Sequence, residues 1–189
     1  IIPDRIEAIT MVIAGIITQG ELTIENINSS HIQQPIELIR QCGANLEIFE
    51  DYLYLKSSNF ILPISFETNP YPGIPTDIQA QLMVLNTVAE GDSKVKETIF
   101  ENRFMHILEL KRMGANIGID GNTAIITGVQ KLNSAQVMAT DLRASAALIL
   151  AGLIADGETI IDRIYHLDRG YESIEEKLSN IGAKVRRID

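Results

Sequence analysis

The chain has 189 residues, 46% of them hydrophobic and 22% charged, which is an ordinary balance for a globular domain with a real core. A formal charge of −9 argues against binding a nucleic-acid backbone, and aromatics at 5% offer no stacking platform for bases. Cys42 is the only cysteine, so no internal disulfide and no cysteine-based zinc site can form, which suits a reducing cytoplasm. The longest apolar run, residues 144–155, is too short to span a bilayer and reads as a buried helix. Ile1-Ile2-Pro3-Asp4-Arg5 runs directly into a helical pattern, so the chain is expected to begin inside a longer protein.

In chain order, an apolar helix comes first, ending in Ile13-Ala14-Gly15-Ile16-Ile17-Thr18-Gln19-Gly20. Gly20 should close it in the left-handed conformation that glycine tolerates. A β-rich run over 21–28 follows, then an amphipathic helix ending in Gly43-Ala44-Asn45, then short strands over 46–50 and 52–56. The order then returns. A second apolar helix ends in Val84-Leu85-Asn86-Thr87-Val88-Ala89-Glu90-Gly91, with a β-rich run over 93–99 after it. An amphipathic helix ends in Gly114-Ala115-Asn116, and strands over 117–120 and 123–127 flank a Gly121-Asn122 turn. The third passage has its apolar helix closing at Leu150-Ala151-Gly152-Leu153-Ile154-Ala155-Asp156-Gly157, a run over 158–164, and a helix ending in Gly182-Ala183-Lys184. Only one strand, over 184–188, follows it. Gly43, Gly114 and Gly182 lie 71 and 68 residues apart, which marks a repeat. One domain of three α/β units is therefore expected, at approximately 1–65, 66–131 and 132–189. The first helix of each unit is apolar almost all round and should be buried on every side. The second carries Glu, Lys and Arg on one face and should be half exposed. This implies an inside-out α/β barrel, with helices at the centre and sheets outside.

Two long stretches carry a family resemblance. One is Pro75-Thr76-Asp77-Ile78-Gln79-Ala80-Gln81 followed by Glu97-Thr98-Ile99-Phe100-Glu101-Asn102-Arg103-Phe104-Met105-His106. The other is Ala135-Gln136-Val137-Met138-Ala139-Thr140-Asp141-Leu142-Arg143-Ala144-Ser145, continuing to Asp162-Arg163-Ile164-Tyr165-His166-Leu167-Asp168-Arg169-Gly170-Tyr171. Together they resemble the C-terminal domain of the UDP-N-acetylglucosamine enolpyruvyl transferases, and the likeness runs through essentially the whole chain. It implies transfer of the enolpyruvyl group of phosphoenolpyruvate to the sugar 3-hydroxyl by addition and elimination of phosphate. That reaction is the first committed step of peptidoglycan synthesis and needs no cofactor or metal. The resemblance also implies a site between two domains. The other domain carries the reactive loop cysteine and the phosphoenolpyruvate-holding lysine and arginine, and Cys42 is not that cysteine. The partner strand of 184–188 would come from the family's extreme N-terminus. The shikimate-pathway relative, 5-enolpyruvylshikimate-3-phosphate synthase, shares the architecture. Its phosphorylated substrate calls for extra basic residues that are not found here. A third reading is a non-catalytic copy kept for binding.

Asp77 follows the loop Asn69-Pro70-Tyr71-Pro72-Gly73-Ile74-Pro75, and Thr76 with Gln79 has the pattern of a capping box, so Asp77 should be the first helical residue. Read alone, it is an acid at the positive end of a helix. The resemblance makes it the base that takes the proton of the attacking hydroxyl. Asp141 holds the same place in the third unit, where a helix-start role competes with one in proton transfer. Arg169, at a loop-to-helix junction, is either a surface partner of Asp168 or Glu172, or a fork for carboxylate or phosphate. The resemblance favours the fork, on phosphoenolpyruvate. Ile99, expected to end the second unit's strand, matches a residue that touches the UDP-sugar. Phe100 and Arg103 could line the same cleft, and Arg143 matches another arginine near the site. His106 and His166 have no partner at metal-site spacing.

Overall fold

Asp4 opens the first helix by capping it, its carboxylate accepting from the N–H groups of Ile6 at 2.7 Å and Glu7 at 3.3 Å. The computed structural model describes residues 2–188. The helix, α1 (Arg5–Ile17), leads into β1 (Glu21–Glu25), a 3-10 turn (Ser29–His31), α2 (Gln33–Arg40), β2 (Asn45–Ile48) and β3 (Tyr52–Lys56). After β4 (Phe66–Glu67) and a 3-10 turn (Thr76–Ile78) come α3 (Gln79–Thr87), β5 (Asp92–Lys96), α4 (His106–Arg112), β6 (Asn116–Asp120) and β7 (Thr123–Thr127). The remainder is β8 (Leu132–Asn133), β9 (Gln136–Met138), α5 (Leu142–Ile154), β10 (Ala155–Asp156), β11 (Ile160–Asp162), a 3-10 turn (Ile164–Arg169) and α6 (Ile174–Asn180).

The helices sort as their apolarity requires. All nine residues of α3 are buried, as is α5 from Ala144 to Ala151, and α1, α3 and α5 pack on one another at the centre. The outer helix α2 buries only Pro35, Ile36, Leu38 and Ile39, and α6 only Ile174 and Leu178. Two antiparallel sheets cover the first two thirds of the chain. One has the order β1-β3-β2, and the other β5-β7-β6 with β4 added in parallel at the β5 edge. The final third has only short parallel ladders, β8 with β10 and β9 with β11.

A polar knot ties the central helices together. Thr10, Gln81 and Ser145 are buried, and each bonds to the carbonyl four residues earlier: Thr10 to Ile6 at 2.8 Å, Gln81 to Asp77 at 3.1 Å and Ser145 to Asp141 at 2.6 Å. Thr10 and Tyr171 share a hydrogen bond of 2.9 Å, and the Gln81 amide donates to both hydroxyls at 3.3 Å. Partners therefore satisfy the Tyr171 hydroxyl at the core, where an unpaired one is costly.

Several expectations need correction. The strand at 21–28 stops at Glu25 because Asn26 takes φ 57°, and the run at 158–164 stops at Asp162 because Arg163 takes φ 60°. Both are left-handed conformations that leave the extended region. Gln19, at φ 55°, rather than Gly20, makes the left-handed turn after α1. Gly43, Gly114 and Gly182 do adopt positive φ (95°, 91° and 102°) after the outer helices. Residues 184–188 form no strand. They border a groove of about 1000 Å³ whose other wall includes Gly20, Leu22, Gly157, Ile160 and Ile161.

Candidate active site

Asp77 lies in the 3-10 turn that enters α3, with Pro75 before it at φ −70° and ψ 141°. The expected capping box does not form. The Thr76 hydroxyl donates instead to the Glu97 carboxylate at 2.9 Å, and Gln79 is wholly buried. With no cap to serve, the Asp77 side chain points outward and remains 41% exposed. Two guanidiniums converge on its Oδ1, Arg103 Nη2 at 3.1 Å and Arg143 Nε at 3.4 Å. Both arginine side chains are far less exposed, at 15% and 14%, so the cations are held and the carboxylate faces solvent. The Arg103 guanidinium also lies 5.0 Å from the centre of the Phe100 ring, a cation–π contact.

Asp141 is turned the other way. It is the N-cap of α5, in an extended conformation, and its Oδ1 accepts from the N–H groups of Arg143 at 2.8 Å and Ala144 at 2.9 Å. Arg143 thus joins the two carboxylates, by its backbone to Asp141 and by its side chain to Asp77. Its guanidinium also stands 5.9 Å from the ring centre of Tyr171. Behind this pair lies His106, the first residue of α4. Burial drives its pKa from 6.5 to about 4; the nearby Asp141 charge opposes that shift and Arg103 adds to it. The ring is neutral, and its Nε2 has no partner among the described residues.

The structure brings Asp77, Arg103 and Arg143 into contact and sets Asp141 beside them. Ile99 and Phe100 are exposed on the neighbouring loop, beyond the end of β5 at Lys96, so Ile99 does not end the strand as expected. Arg169 is not bonded to the cluster. It is exposed at the end of the Ile164–Arg169 turn, and Gly170 beside it lies so close to Leu142 that a Cβ there would meet the Leu142 side chain at 2.8 Å. That packing puts the Arg169 loop against the start of α5. Arg169 forms no ion pair among the described residues, with Asp168 or with Glu172; Asp168 is held instead by Arg187 through bonds of 2.6 and 3.0 Å. Arg187 in turn holds the Asp168 carboxyl below its usual range.

Reading the sequence alone missed Glu97, Thr76 and Tyr171. The alternation Ser93-Lys94-Val95-Lys96-Glu97 carries a signal for the first, since Ser93 and Val95 face inward and Glu97 continues that side. No group of three or more His, Cys, Asp or Glu side chains among the described residues is arranged to hold a metal. No helix among them is long and apolar enough to cross a membrane.

The sequence pattern of the EPSP synthase (3-phosphoshikimate 1-carboxyvinyltransferase) family matches residues 1–178. Over 188 residues the chain is 53% identical to the UDP-N-acetylglucosamine 1-carboxyvinyltransferase of Desulfosudis oleivorans, an alignment that covers 100% of this chain and 45% of that protein. The chain therefore spans about half the length of that curated relative. Its fold superposes on the enolpyruvyl transferase NikO from Streptomyces tendae with a TM-score of 0.90 at 28% identity, covering 98% of this chain and 44% of that one. An EPSP synthase from Acinetobacter baumannii matches with a TM-score of 0.76 at 18% identity, covering 99% of this chain and 48% of that one, a likeness of fold alone. By this fold and by a sequence pattern that spans nearly its whole length, the chain belongs to the EPSP synthase family of enolpyruvyl (carboxyvinyl) transferases.

Proposed function

We propose that the complete protein transfers the enolpyruvyl group of phosphoenolpyruvate to the 3-hydroxyl of UDP-N-acetylglucosamine, and that this chain supplies one half of a site between two domains. The observation that carries this reading is the Asp77 carboxylate, exposed on one side and clamped by Arg103 and Arg143 on the other. A carboxylate so fixed is placed to take the proton of a sugar hydroxyl as its oxygen attacks C2 of phosphoenolpyruvate, a role typically worth ~10²–10⁴-fold in rate. C3 takes up a proton as the new C–O bond forms, and loss of a C3 proton with departure of phosphate from C2 then gives the enol ether. The 53% identity to a UDP-N-acetylglucosamine 1-carboxyvinyltransferase favours this acceptor over a shikimate phosphate.

In this reading Ile99 and Phe100 form an apolar wall for the nucleotide-sugar, and Arg103 and Arg143 hold the Asp77 carboxylate in place. Asp141 stands near the reacting atoms as a participant in proton transfer. Arg169, with a guanidinium unspent on any carboxylate of the described residues, offers its planar fork to phosphoenolpyruvate. The missing domain would bring the reactive loop and the remaining phosphoenolpyruvate contacts. A strand from outside this chain would lie in the groove beside residues 184–188. The product commits the sugar to peptidoglycan, and so to cell-wall growth, shape and division, in the cytoplasm.

The test is Asp77→Asn in the complete protein, followed by phosphate release from phosphoenolpyruvate in the presence of UDP-N-acetylglucosamine. The amide keeps the shape and loses the base, so kcat should fall by at least ~10² with the melting temperature nearly unchanged. Normal turnover in that variant would remove Asp77 from the chemistry.

A further inference from the structure

Glu97 is only 5% exposed, yet it forms no ion pair with any cation among the described residues. Its charge is met entirely by neutral donors. Oε1 accepts from the Thr68 hydroxyl at 2.7 Å and from the backbone N–H groups of Ile99 at 2.8 Å and Phe100 at 3.0 Å. Oε2 accepts from the Thr76 hydroxyl at 2.9 Å. The backbone of Glu97 is pinned as well. Its N–H donates to the Asn122 carbonyl at 2.9 Å, and its carbonyl accepts from the Asn122 amide at 3.0 Å, so the turn between β6 and β7 fixes where the carboxylate stands. Thr98 completes the join by donating its N–H to the Thr68 hydroxyl at 2.9 Å and its own hydroxyl to the Thr68 carbonyl.

A buried carboxylate is tolerable only while its lone pairs are filled, and hydrogen bonds to an ionised acceptor are about twice as strong as neutral ones. The four donors come from three segments that are separate in sequence: the end of β4, the turn that carries Asp77, and the loop that carries Ile99 and Phe100. Each of the last two reaches the side chain next to, or at, a proposed site residue. We propose that Glu97 is a positioning residue, whose buried carboxylate locks the Ile99–Phe100 loop to the Asp77 turn so that acceptor wall and base keep one geometry. This rests on the function proposed above. The two oxygens divide the work: Oε1 sets the wall, and Oε2 sets the turn before the base. A glutamine would keep the Oε1 contacts through its carbonyl oxygen and donate its NH2 to the Thr76 hydroxyl, so the role is tested by removing both oxygens.

The experiment uses the complete protein and three variants. Glu97→Ala should raise KM for UDP-N-acetylglucosamine and lower kcat, each about tenfold, and in the ligand-free protein it should speed amide hydrogen exchange at Ile99 and Phe100 by at least about tenfold. Thr76→Val removes the Oε2 donor alone, so kcat should fall about tenfold while that KM stays within about twofold; Thr76→Ser should restore kcat. A hub that merely stabilises the fold would not produce this division between the two constants. Unchanged exchange at both amides in Glu97→Ala, or a Thr76→Ser variant as impaired as Thr76→Val, overturns the proposal. If Glu97→Ala does not fold, the Thr76 pair decides by itself. If Asp77→Asn turns over normally, the proposed reaction falls, and the exchange rates still report whether Glu97 holds the loop.

Discussion

Asp77 and Asp141 stand at matching places, each four residues before a buried polar side chain that bonds back to its carbonyl. Their carboxylates are used differently. Asp141 folds back over its own helix and caps α5 through the N–H groups of Arg143 and Ala144. Asp77 sits in a 3-10 turn set by Pro75, caps nothing, and meets two guanidiniums from other parts of the chain. The difference arises in the backbone just before each acid and in the neighbour that takes the adjacent hydroxyl. Thr76 is claimed by Glu97, whereas the Thr140 hydroxyl has no partner among the described residues. A position shared within a chain therefore fixes where an acid stands and leaves open what it does.

Substitution can break or sharpen that contrast, beginning with the largest effect. Asp77→Asn should cost at least ~10² in kcat with little change in melting temperature. Asp141→Asn keeps an acceptor for both backbone donors and so isolates any part in proton transfer. We expect a kcat loss of about tenfold, an order of magnitude short of the Asp77 effect, with no loss of melting temperature. Equal losses for the two asparagine variants would erase the distinction.

His106, behind the pair, should make stability depend on pH. It is neutral when folded down to about 4 but protonates in the unfolded chain near 6.5, so the native state binds fewer protons in between. Stability is then full above pH 6.5 and is lost as pH falls toward 4, by up to about 3 kcal/mol if no other group changes. Chemical denaturation at several pH values checks this, and His106→Gln should flatten the slope. A slope retained in that variant assigns it elsewhere.

Arg169→Lys should raise KM for phosphoenolpyruvate about tenfold, because a point charge cannot replace the guanidinium fork. Wild-type constants would take Arg169 out of the site. The smallest change is the loss of a cap. Asp141→Ala should lower stability by about 1 kcal/mol relative to Asp141→Asn, read as a lower melting temperature. The same comparison at Asp77 should show no such gap, since that side chain caps nothing.

Much of the architecture was legible. All-round apolarity foretold that α1, α3 and α5 would be interior, and recurring glycines marked the ends of α2, α4 and α6. Asp141 at a helix start was equally plain. The false capping box at Thr76 and Gln79 shows where local reading fails. The pattern was right for a cap, but a carboxylate 21 residues away outcompeted it. The arginine clamp was out of reach for a related reason. Arg103 and Arg143 lie on different elements from Asp77, and only the packing of α3 against α5 and the loop before α4 brings them together. Residues 184–188 have the β-type alternation of a strand, yet a strand needs a paired neighbour, and no strand among the described residues pairs with them.

The knot of Thr10, Gln81 and Tyr171 also bears on how the chain folds. Its members are 71 to 161 residues apart, and the Lys177–Glu7 ion pair at 2.6 Å spans 170. The two longest of these contacts close loops of 161 and 170 residues, and closure of this kind is slow because its entropy must be met before any contact repays it. During synthesis, the centre between α1 and α3 must wait for Tyr171 to leave the ribosome before the Thr10 hydroxyl and the Gln81 amide find their last partner. Until then Thr10 and Gln81 are exposed to wrong pairings. A nascent chain stalled short of residue 171 should be the species most dependent on a chaperone.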